Sequence, residues 1–430
     1  AEGKNGEYDN GEQQTYTDKD GEYTFYNLDQ GEYVVSANLA LGWVLTSPNR
    51  IDASPTNIKL TSSDEELEQN SNKNNIGNLR NSLSSITEMS STIGLDKFKR
   101  DPLFSDINGE NFAVVVIDGG IDLNHPYFGP DNNRDGVSDR IVYHYHFYKN
   151  RPISQTDYSP HGTHVAGIIG GKDSLYSGIA PNVNIIALDV FPEKPNAKTT
   201  YDTVTRALDW VLRNYDTYNI VAVNMSLGSG NNQSETSESI VSQLKKVGVA
   251  VVVATGNSFK DYSSPGIGYP ANINDAISVS SVWGLEFRSN YNWKVNGSPN
   301  ILATNRGPEV PTEPGQIVAS AQRYPGLVDL FAPGEIITSA SDQAYRGNPG
   351  QLYEDAGGTS MAAPIISGVV ALAQQVAKEY LGRKLGVDEL LKIMKSTATI
   401  IFDGDNEYSS FNVKPTRANY DLINIHEMAK

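Results

Sequence analysis

From residue 95 onward, short apolar runs alternate with longer segments of helical periodicity. The predicted strands are residues 112–117, 183–190, 220–225, 249–254 and 276–282. The predicted helices are residues 162–170, 200–215, 235–247, 360–378 and 387–395. Strands without a polar face are typical of a parallel sheet that helices cover on both sides. The pattern therefore predicts an α/β domain over residues 95–430, with a mostly parallel sheet between two helical layers.

Two segments break this alternation. Residues 284–328 are rich in Asn, Pro and Gly without clear periodicity, which predicts an inserted surface loop region. Residues 51–94 are rich in Ser, Asn and acidic side chains, with few residues able to form a packed face. That composition predicts a flexible linker before the α/β domain.

Residues 1–50 have the pattern of a separate, strand-rich module. Stretches rich in Tyr, Thr and Val are separated by Asp-Gly and Gly-Glu pairs, as in DGEYTFYNLDQGEYVVSANL, which predicts short strands joined by turns. This segment resembles part of the SdrD B-like or Cna B-like β-sandwich modules of bacterial surface proteins. The resemblance implies a small, partial all-β module at the front of the chain.

Composition and charge exclude several classes of protein. The 430 residues include no cysteine, so disulfides, thiolate metal sites and a cysteine nucleophile are excluded. The net charge of -17 would repel the phosphate backbone of a nucleic acid, and we expect no such partner. No uninterrupted apolar run approaches the roughly 18 residues of a membrane-spanning helix, so we expect no membrane span.

Asp118 follows the first predicted strand, FAVVVI. Functional side chains of parallel sheets gather beyond the carboxyl ends of strands, which makes Asp118 a candidate. A carboxylate before Gly119 and Gly120 is also a common turn former, and Asp118 alone favours that simpler role.

The segment HGTHVAG contains two histidines at the start of a predicted helix. A zinc site of the metalloprotease kind needs histidines four apart with a Glu between them, whereas these are three apart and Thr163 lies between them. His164 lies beside Val165 and favours a structural role. We expect His161 to be a general base, because neutral imidazole accepts a proton near pH 7.

The segment GGTSMAAP places Ser360 at the start of an apolar helix, with Pro364 in the first turn. The commonest role of a serine there is to cap the helix. The same helix N-terminus offers free backbone N–H groups and the positive end of a dipole to an anion. It therefore also suits the oxyanion of an acyl-transfer reaction.

Taken together, these segments closely resemble the subtilisin-like serine proteases, or subtilases, over about residues 95–425. The resemblance rests on the chain order Asp, His, Ser and on the motifs HGTHVAG and GTSMAAP. It implies a subtilisin-like three-layer αβα fold. It also implies that Ser360 is the nucleophile, that His161 is the general base and then acid, and that Asp118 supports the imidazolium.

A further segment, VVVATGN, is similar to the family's segment that ends in the oxyanion-hole asparagine. An Asn after a strand and a Gly is otherwise usually a turn residue, whereas the resemblance implies that Asn257 donates its side-chain amide to the oxyanion. The residues implied to bind substrate are Ser226, Leu227, Gly228, Ala254, Thr255, Gly256 and Gly268. Because several of these are small and none is charged, we expect broad specificity that favours apolar or aromatic P1 side chains.

The chain departs from the family in two places. Gly119 stands where the family usually has Thr or Ser, which removes a hydroxyl that commonly supports the catalytic carboxylate. The loop at residues 172–177 is shorter than the loop that supplies a tight calcium site in classical bacterial subtilisins. We therefore expect no calcium site of that kind.

A different calcium site is predicted at residues 131–139, DNNRDGVSD. Its oxygen ligands would come from the side chains of Asp131, Asn133, Asp135 and Asp139 and from the backbone carbonyl of Val137. The residue three positions beyond this segment is Val142, where an EF-hand would supply a bidentate Glu, so the loop is not an EF-hand. The alternative is an acidic turn on a solvated surface. Oxygens at alternating positions favour structural Ca²⁺ over Mg²⁺.

We expect a secreted or cell-surface serine endopeptidase that acts on proteins or peptides through an acyl-enzyme, with a monomeric catalytic domain. One alternative is a catalytically silent, subtilase-like surface or binding protein. A second alternative is an esterase-type hydrolase, but the G-x-S-x-G sequence of that class is absent around Ser360.

Overall fold

A nine-stranded sheet forms the centre of Glu88–Lys430, the larger of two compact units into which the chain divides. The computed structural model describes residues 32–35, 56–59, 89–154, 157, 159–173, 176–192, 198–233, 238–262, 264–284, 313–341, 352–404 and 415–430. The described strands are β1 (Glu32–Val35), β2 (Thr56–Lys59), β3 (Ala113–Asp118), β4 (Ile141–His146), β5 (Asn184–Asp189), β6 (Ile220–Met225), β7 (Ser229–Asn232), β8 (Ala250–Ala254), β9 (Ile267–Tyr269), β10 (Ile277–Trp283), β11 (Leu330–Glu335), β12 (Ile337–Ala340), β13 (Tyr353–Ala356), β14 (Thr399–Phe402) and β15 (Asn419–Leu422). The described helices are α1 (Leu95–Arg100), α2 (Pro160–Gly170), α3 (Tyr201–Asn214), α4 (Ser239–Lys246), α5 (Thr359–Leu381), α6 (Val387–Ser396) and α7 (Ile425–Ala429).

The strand order in the large sheet is β14-β15-β11-β10-β8-β6-β3-β5-β4. Every neighbouring pair is parallel except β14 with β15, which is antiparallel. All six residues of β3 and all six of β6 are buried, as expected of strands covered on both faces. The prediction of a mostly parallel sheet is confirmed.

Helices flank this sheet in two groups. One group consists of α2 and α5, which pack against each other, and α5 runs across β6, β8, β10 and β11. The other consists of α3 and α4, which also pack together and contact β3 and β8 respectively. The predicted three-layer α/β architecture is confirmed, and the predicted strands and helices match the observed ones apart from small shifts at their ends. The largest shift is in α4, which begins at Ser239, beyond the predicted start at residue 235.

Helix α5 is the central helix of the core. By length and composition it is the one helix among the described residues that could cross a membrane, but 89% of its most apolar window is buried inside the protein. Such burial is expected of the core helix of a globular domain, so α5 gives no support for a membrane span.

The chain order of the strands places a switch point between β3 and β6. After β3 the chain forms β4 and β5 on one side of it, and then crosses to form β6 on its other side. Ligands of open α/β sheets bind at such a switch point, beyond the carboxyl ends of the strands. Asp118 ends β3, and the predicted substrate segment begins directly after β6.

The predicted surface loop at residues 284–328 is described at residue 284 and from residue 313, and most of residues 317–323 are buried, whereas residues 313, 314, 325 and 326 are exposed. Val318 and Ala321 are buried with Trp283 and Ile336 in a small second core. The buried Arg323 donates from Nε and Nη2 to the two carboxylate oxygens of Asp403, both at 2.9 Å. The segment therefore packs as part of the domain, because its few apolar side chains meet the end of β10.

In the smaller unit, Ala1–Thr87, the described strands β1 and β2 pair antiparallel, from Glu32 opposite Lys59 to Val35 opposite Thr56. Strand β2 lies within the predicted linker. The rest of the predicted module at residues 1–50, and of the linker as far as residue 88, lies outside the described residues. In the larger unit, Ile93 is fully buried, so this core already includes residues that precede position 95.

Candidate active site

Asp118 and His161 form a hydrogen-bonded pair at the end of β3. The Nδ1 atom of His161 lies 2.8 Å from Oδ1 of Asp118, which also accepts the backbone N–H of Gly119 at 2.7 Å. The Asp118 side chain is 3% exposed, whereas that of His161 is 42% exposed. A buried carboxylate thus holds one ring nitrogen while the imidazole stays accessible to a reactant.

The HGTHVAG motif is explained by how α2 begins. The backbone N–H of Ser159, which precedes α2, donates to the carbonyl of Gly120 at 2.8 Å and so ties the helix start to the turn after β3. A Cβ on Gly162 would lie 2.6 Å from the carbonyl oxygen of Gly119, so only glycine fits at this contact. The close approach places His161 within reach of Asp118.

The position of Gly119 is crowded by a neighbouring side chain. A Cβ there would lie 2.7 Å from Cβ and 2.8 Å from Oγ of Ser159. The departure from the family pattern at this position is therefore accompanied by a serine that occupies the vacated space. The second carboxylate oxygen of Asp118 is buried and makes no hydrogen bond with any residue that the structure describes.

The pKa of His161 is raised above its usual value of 6.5. Burial works in the opposite direction, because it disfavours the charged imidazolium, but the charge of Asp118 and the hydrogen bond to it outweigh that effect. Asp118 therefore stabilises the protonated form of the ring, which is the form that a general base acquires during reaction.

Ser360 is the second residue of α5 and does not cap the helix. The residue before the helix is Gly358, and no side-chain cap bond is made there. The Ser360 hydroxyl donates to the carbonyl of Ser226 at 3.4 Å, and the hydroxyl of Ser226 donates to the carbonyl of Ser360 at 2.8 Å. The start of α5 is thus joined to the segment after β6. Within the described part of the chain, no hydrogen bond joins Ser360 to His161.

Asn257 is oriented by the first turn of α5. Its side-chain oxygen accepts the backbone N–H of Thr359 at 2.8 Å and the Thr359 hydroxyl at 3.0 Å. A backbone N–H can only donate, so the oxygen is assigned to this side and Nδ2 to the other. A Cβ on Gly358, whose φ is +127°, would lie 2.8 Å from Nδ2. The Asn257 amide N–H groups therefore lie beside Gly358, at the N-terminus of α5.

The predicted substrate-binding residues come together around the short strand β9. The backbone N–H of Gly268 donates to the carbonyl of Thr255 at 2.8 Å. A Cβ on Gly268 would lie 3.4 Å from the carbonyl oxygen of Ser229, and a Cβ on Gly228 would lie 2.9 Å from that of Tyr269. The segments that follow β6 and β8 thus face each other across β9, with small residues at the contacts. Ala254 is buried at the end of β8, and Leu227 is half-buried against the core.

His164 has the structural position that the sequence favours. It is buried, and its Nε2 lies 3.0 Å from the carbonyl oxygen of Ile337 and 3.1 Å from that of Glu354. These contacts join α2 to the paired strands β12 and β13. Burial, the main cause, lowers the pKa of His164 to about 4, so the ring is neutral near pH 7.

A second buried carboxylate, which lies outside the sequence motifs, is next to Asp118 in the sheet. Asp189 ends β5 and is paired in register with Asp118. Burial is the main cause that raises the pKa of Asp189 to about 7, and the negative charge of Asp118 adds to it. Its Oδ2 lies 3.7 Å from Nε2 of the buried His146. The rule that selected Asp118, a polar residue at the carboxyl end of a buried strand, would also have found Asp189.

The predicted calcium loop, residues 131–139, is closed by its own hydrogen bonds. The two carboxylate oxygens of Asp131 accept the backbone N–H groups of Asp135 at 3.1 Å and Gly136 at 2.9 Å. Asp139 accepts the backbone N–H of Asn132 at 3.2 Å. In the part of the chain that the structure describes, no three acidic or histidine side chains form a group that could hold a metal ion. Calcium at this loop stays a prediction.

Comparison with known proteins places these features in one family. Residues 109–418 match the model of the subtilase family, peptidase S8. The chain is 33% identical to alkaline serine exoprotease A of Vibrio alginolyticus over 289 residues, 66% of this chain and 43% of that protein. It is 29% identical to the major intracellular serine protease of Bacillus subtilis over 295 residues, 66% of this chain and 75% of that protein.

A relative from Bacillus subtilis subsp. amylosacchariticus, subtilisin amylosacchariticus, is 29% identical over 282 residues, or 65% of this chain, and the match spans 60% of its length. Among solved structures, that of a cold-adapted subtilisin-like serine proteinase is similar with a TM-score of 0.50 and 26% sequence identity. The similarity covers 77% of this chain and 97% of that one. The fold and the family model agree, and the chain belongs to the subtilase family.

Proposed function

We propose that this chain is a serine endopeptidase that hydrolyses peptide bonds through an acyl-enzyme. The observation that carries the proposal is the 2.8 Å contact between Asp118 and His161 at the end of β3, next to β6, whose following residue Ser226 is hydrogen-bonded to Ser360 at the start of α5. The orientation of the Asn257 amide toward that helix start supports an oxyanion hole. The substrates would be proteins or peptides.

In the proposed first step, the Ser360 Oγ atom attacks the carbonyl carbon of the scissile bond, and its proton passes to Nε2 of His161. The new C–O bond makes a tetrahedral oxyanion, which accepts hydrogen bonds from Nδ2 of Asn257 and the backbone N–H of Ser360. The imidazolium then gives its proton to the leaving amine as the C–N bond breaks. A water molecule then attacks the acyl carbon while His161 takes its proton. His161 returns this proton to Ser360 Oγ as the ester C–O bond breaks, which releases the acid product.

In this mechanism Asp118 keeps the Nδ1 proton of His161 in place, so that Nε2 is the nitrogen that accepts a proton. Its negative charge also stabilises the imidazolium, in agreement with the raised pKa of His161. Asp118 itself does not take part in proton transfer to the substrate.

One observation favours the second candidate, a catalytically silent member of the family. The Ser360 hydroxyl contacts the carbonyl of Ser226 at 3.4 Å, and the described contacts include no hydrogen bond from it to His161. Hydrogen bonds of catalytic groups are often long before substrate binds, so we give the active enzyme preference.

The proposed P1 preference is broad, with large apolar or aromatic side chains favoured. It is supported by glycine at 228, 256 and 268 and by the absence of a charged side chain among the seven predicted substrate residues. Digestion of a peptide library, read by mass spectrometry, tests both activity and preference. Cleavage by wild type and none by Ser360→Ala is expected. A folded wild-type protein that cuts no peptide would favour the silent candidate.

The pH dependence of kcat/KM is expected to follow His161. The general base must be unprotonated, so activity falls as the pH drops through the pKa of His161, which lies above its usual 6.5. Initial rates measured from pH 5 to 10 should give a lower limb whose midpoint is above 6.5. A midpoint clearly below that value would contradict the described pairing with Asp118.

Replacing the proposed oxyanion donor is expected to lower kcat by about 10²–10³-fold, the loss found when the corresponding donor is removed from a subtilisin. Asn257→Leu keeps the approximate size of the side chain and removes its N–H groups, while KM should change little. The variant also removes the acceptor of the Thr359 N–H, which costs about 1–3 kcal/mol of stability. Rates are therefore compared well below both melting temperatures. An unchanged kcat would exclude the proposed role.

We further propose that residues 131–139 hold a structural Ca²⁺ ion, on the pattern of their oxygens. Each carboxylate oxygen of Asp131 accepts a backbone N–H and keeps a lone pair for a cation. EDTA is then expected to lower the melting temperature of the intact chain, and added Ca²⁺ to restore it. The variant Asp131→Ala should not respond to either. A melting curve that is the same with and without chelator would remove the site.

Secretion or display at the cell surface is also proposed, because the front of the chain resembles bacterial surface modules. One relative is named an intracellular protease, so family membership alone does not decide the location. Fractionation of the native cells, followed by detection of the chain with an antibody, is the test. Exclusive recovery from the cytoplasm would contradict the proposal.

A further inference from the structure

Gln322 contacts both segments that form the predicted substrate pocket. The first wall is the segment after β6, residues 226–232, and the second wall is the segment after β8, residues 255–258. Its side chain is almost fully buried. Nε2 donates to the carbonyl of Gly230 at 2.9 Å and to Oδ1 of Asn231 at 3.2 Å, both in β7, which follows the substrate segment after β6. Its backbone N–H donates to the carbonyl of Gly256 at 2.8 Å, in the segment after β8. One residue thus contacts both walls.

The contact with the second wall is close. A Cβ on Gly256, whose φ is +107°, would lie 2.1 Å from Oε1 of Gln322 and 2.8 Å from its Cδ. The same Oε1 accepts the backbone N–H of Ser258 at 3.4 Å, so it lies beside both neighbours of Asn257. The Gln322 amide therefore fills the space next to the proposed oxyanion segment.

Gln322 is itself held firmly. Its carbonyl accepts the hydroxyl of Ser280 on β10 at 3.0 Å, and the next residue, Arg323, forms the buried ion pair with Asp403. The walls that it joins contain glycine at 228, 230 and 256, which have no side chains to pack against each other. A residue that is hydrogen-bonded to both walls, as Gln322 is, therefore sets the distance between them.

We propose that Gln322 is a positioning residue that determines specificity, by holding the two walls of the P1 pocket at a fixed separation. The inference rests on the proposed endopeptidase function and assigns a role to a residue outside the motifs of the site. A pocket of fixed width discriminates between P1 side chains more strongly than a loose one. Loss of the Gln322 amide should therefore reduce discrimination between P1 residues rather than simply lower stability.

The test compares Gln322→Met with a matched control, Gln374→Met. Gln374 is also buried, and its amide makes two hydrogen bonds to the backbone of Leu385, with Nε2 donating at 2.9 Å and Oε1 accepting at 2.8 Å. Both variants keep side-chain volume and lose buried hydrogen bonds. kcat/KM is measured for a peptide series that differs only in a P1 Ala, Leu, Phe or Trp.

The expected result is that the spread of kcat/KM across the series narrows by about tenfold in Gln322→Met and stays within about twofold of wild type in Gln374→Met. Both should have a lowered melting temperature. If Gln322→Met does not fold, Asn231→Ala removes one acceptor of the same amide at a less buried position and should narrow the spread to a smaller extent.

Equal P1 profiles in wild type and in the folded variants among Gln322→Met and Asn231→Ala would overturn the role of Gln322. The same narrowing of the spread in Gln374→Met would also overturn it. These outcomes leave the proposed endopeptidase function intact, because wild type still cleaves. If wild type cleaves none of the peptides while folded, the endopeptidase function fails and the specificity role fails with it.

Discussion

Ser360→Ala is expected to lower kcat on a peptide substrate by about 10⁶-fold, the size of loss that removal of the nucleophile causes in a subtilisin. The physical reason is that alanine has no hydroxyl to form the acyl-enzyme bond, and the neighbouring Thr359 is buried with its hydroxyl hydrogen-bonded to the side-chain oxygen of Asn257. The described position of Ser360 in the first turn, without a capping bond, predicts that the loss comes with little change in stability. Steady-state rates and a melting curve of the same preparation measure both quantities.

Ser367→Ala is the matched control for this change. Ser367 lies on the same helix and is buried, and its hydroxyl donates to Oδ1 of Asn224 at 2.9 Å. The control should lower the melting temperature while kcat stays within a few-fold of wild type. Residual activity of Ser360→Ala above a hundredth of the wild-type rate would mean that Ser360 is not the nucleophile.

Asp118→Asn is expected to lower kcat by about 10⁴-fold, as the same change does in another serine protease triad. The amide that replaces the carboxylate removes the negative charge beside His161 and favours the wrong ring tautomer. Because that charge raises the pKa of His161, its loss should also move the lower limb of the pH profile to lower pH. Both effects are read from kcat and kcat/KM measured across pH.

Asp189→Asn tests whether His161 depends on its hydrogen bond with Asp118 or only on a carboxylate nearby. Asp189 is buried and in register with Asp118, but it is Asp118 that accepts the hydrogen bond from Nδ1 of His161. The control is therefore expected to lower kcat by less than about tenfold. A loss in Asp189→Asn as large as that in Asp118→Asn would show that the local charge matters and not the specific pairing.

The sheet could be predicted from the sequence where strands are apolar on both faces. Strands such as β3 and β6 are near-continuous apolar runs, which is typical of strands that are covered on both faces of a parallel sheet. Strand β4, IVYHYH, was not predicted, since it lies at the edge of the sheet and has partly exposed Tyr and His side chains. Strand β14 at the other edge is mostly exposed, and its neighbour β15, NYDL, has an exposed Asn and a half-buried Asp, so neither has the apolar run of a covered strand.

The part of the inserted region that packs inside could not be predicted, because its burial depends on distant residues. Arg323 looks like a surface residue in sequence, and it is buried only because Asp403, 80 positions away, supplies two carboxylate oxygens. Gln322 gains its position from the same packing. Neither residue belongs to a local pattern, so periodicity and composition carry no information about them.

The candidate site itself was predicted from its local sequence. The residues around His161 and Ser360 form motifs because close contacts, such as that of Gly162 with Gly119, permit only particular residue types. The orientation of the Asn257 amide was beyond the sequence, since it depends on the backbone N–H of Thr359, 102 positions away. The motifs identify the residues, and the three-dimensional structure gives the orientation of their side chains.

If Ser360 is an activated nucleophile, a fluorophosphonate probe should label the intact chain. The probe phosphonylates a serine only where a base removes its proton and an oxyanion hole stabilises the product. We predict one adduct per wild-type chain, located by mass spectrometry on the peptide that contains Ser360, and none in Ser360→Ala. A folded wild-type chain that takes up no probe would show that Ser360 is not an activated nucleophile. Equal labelling of wild type and Ser360→Ala would show the same.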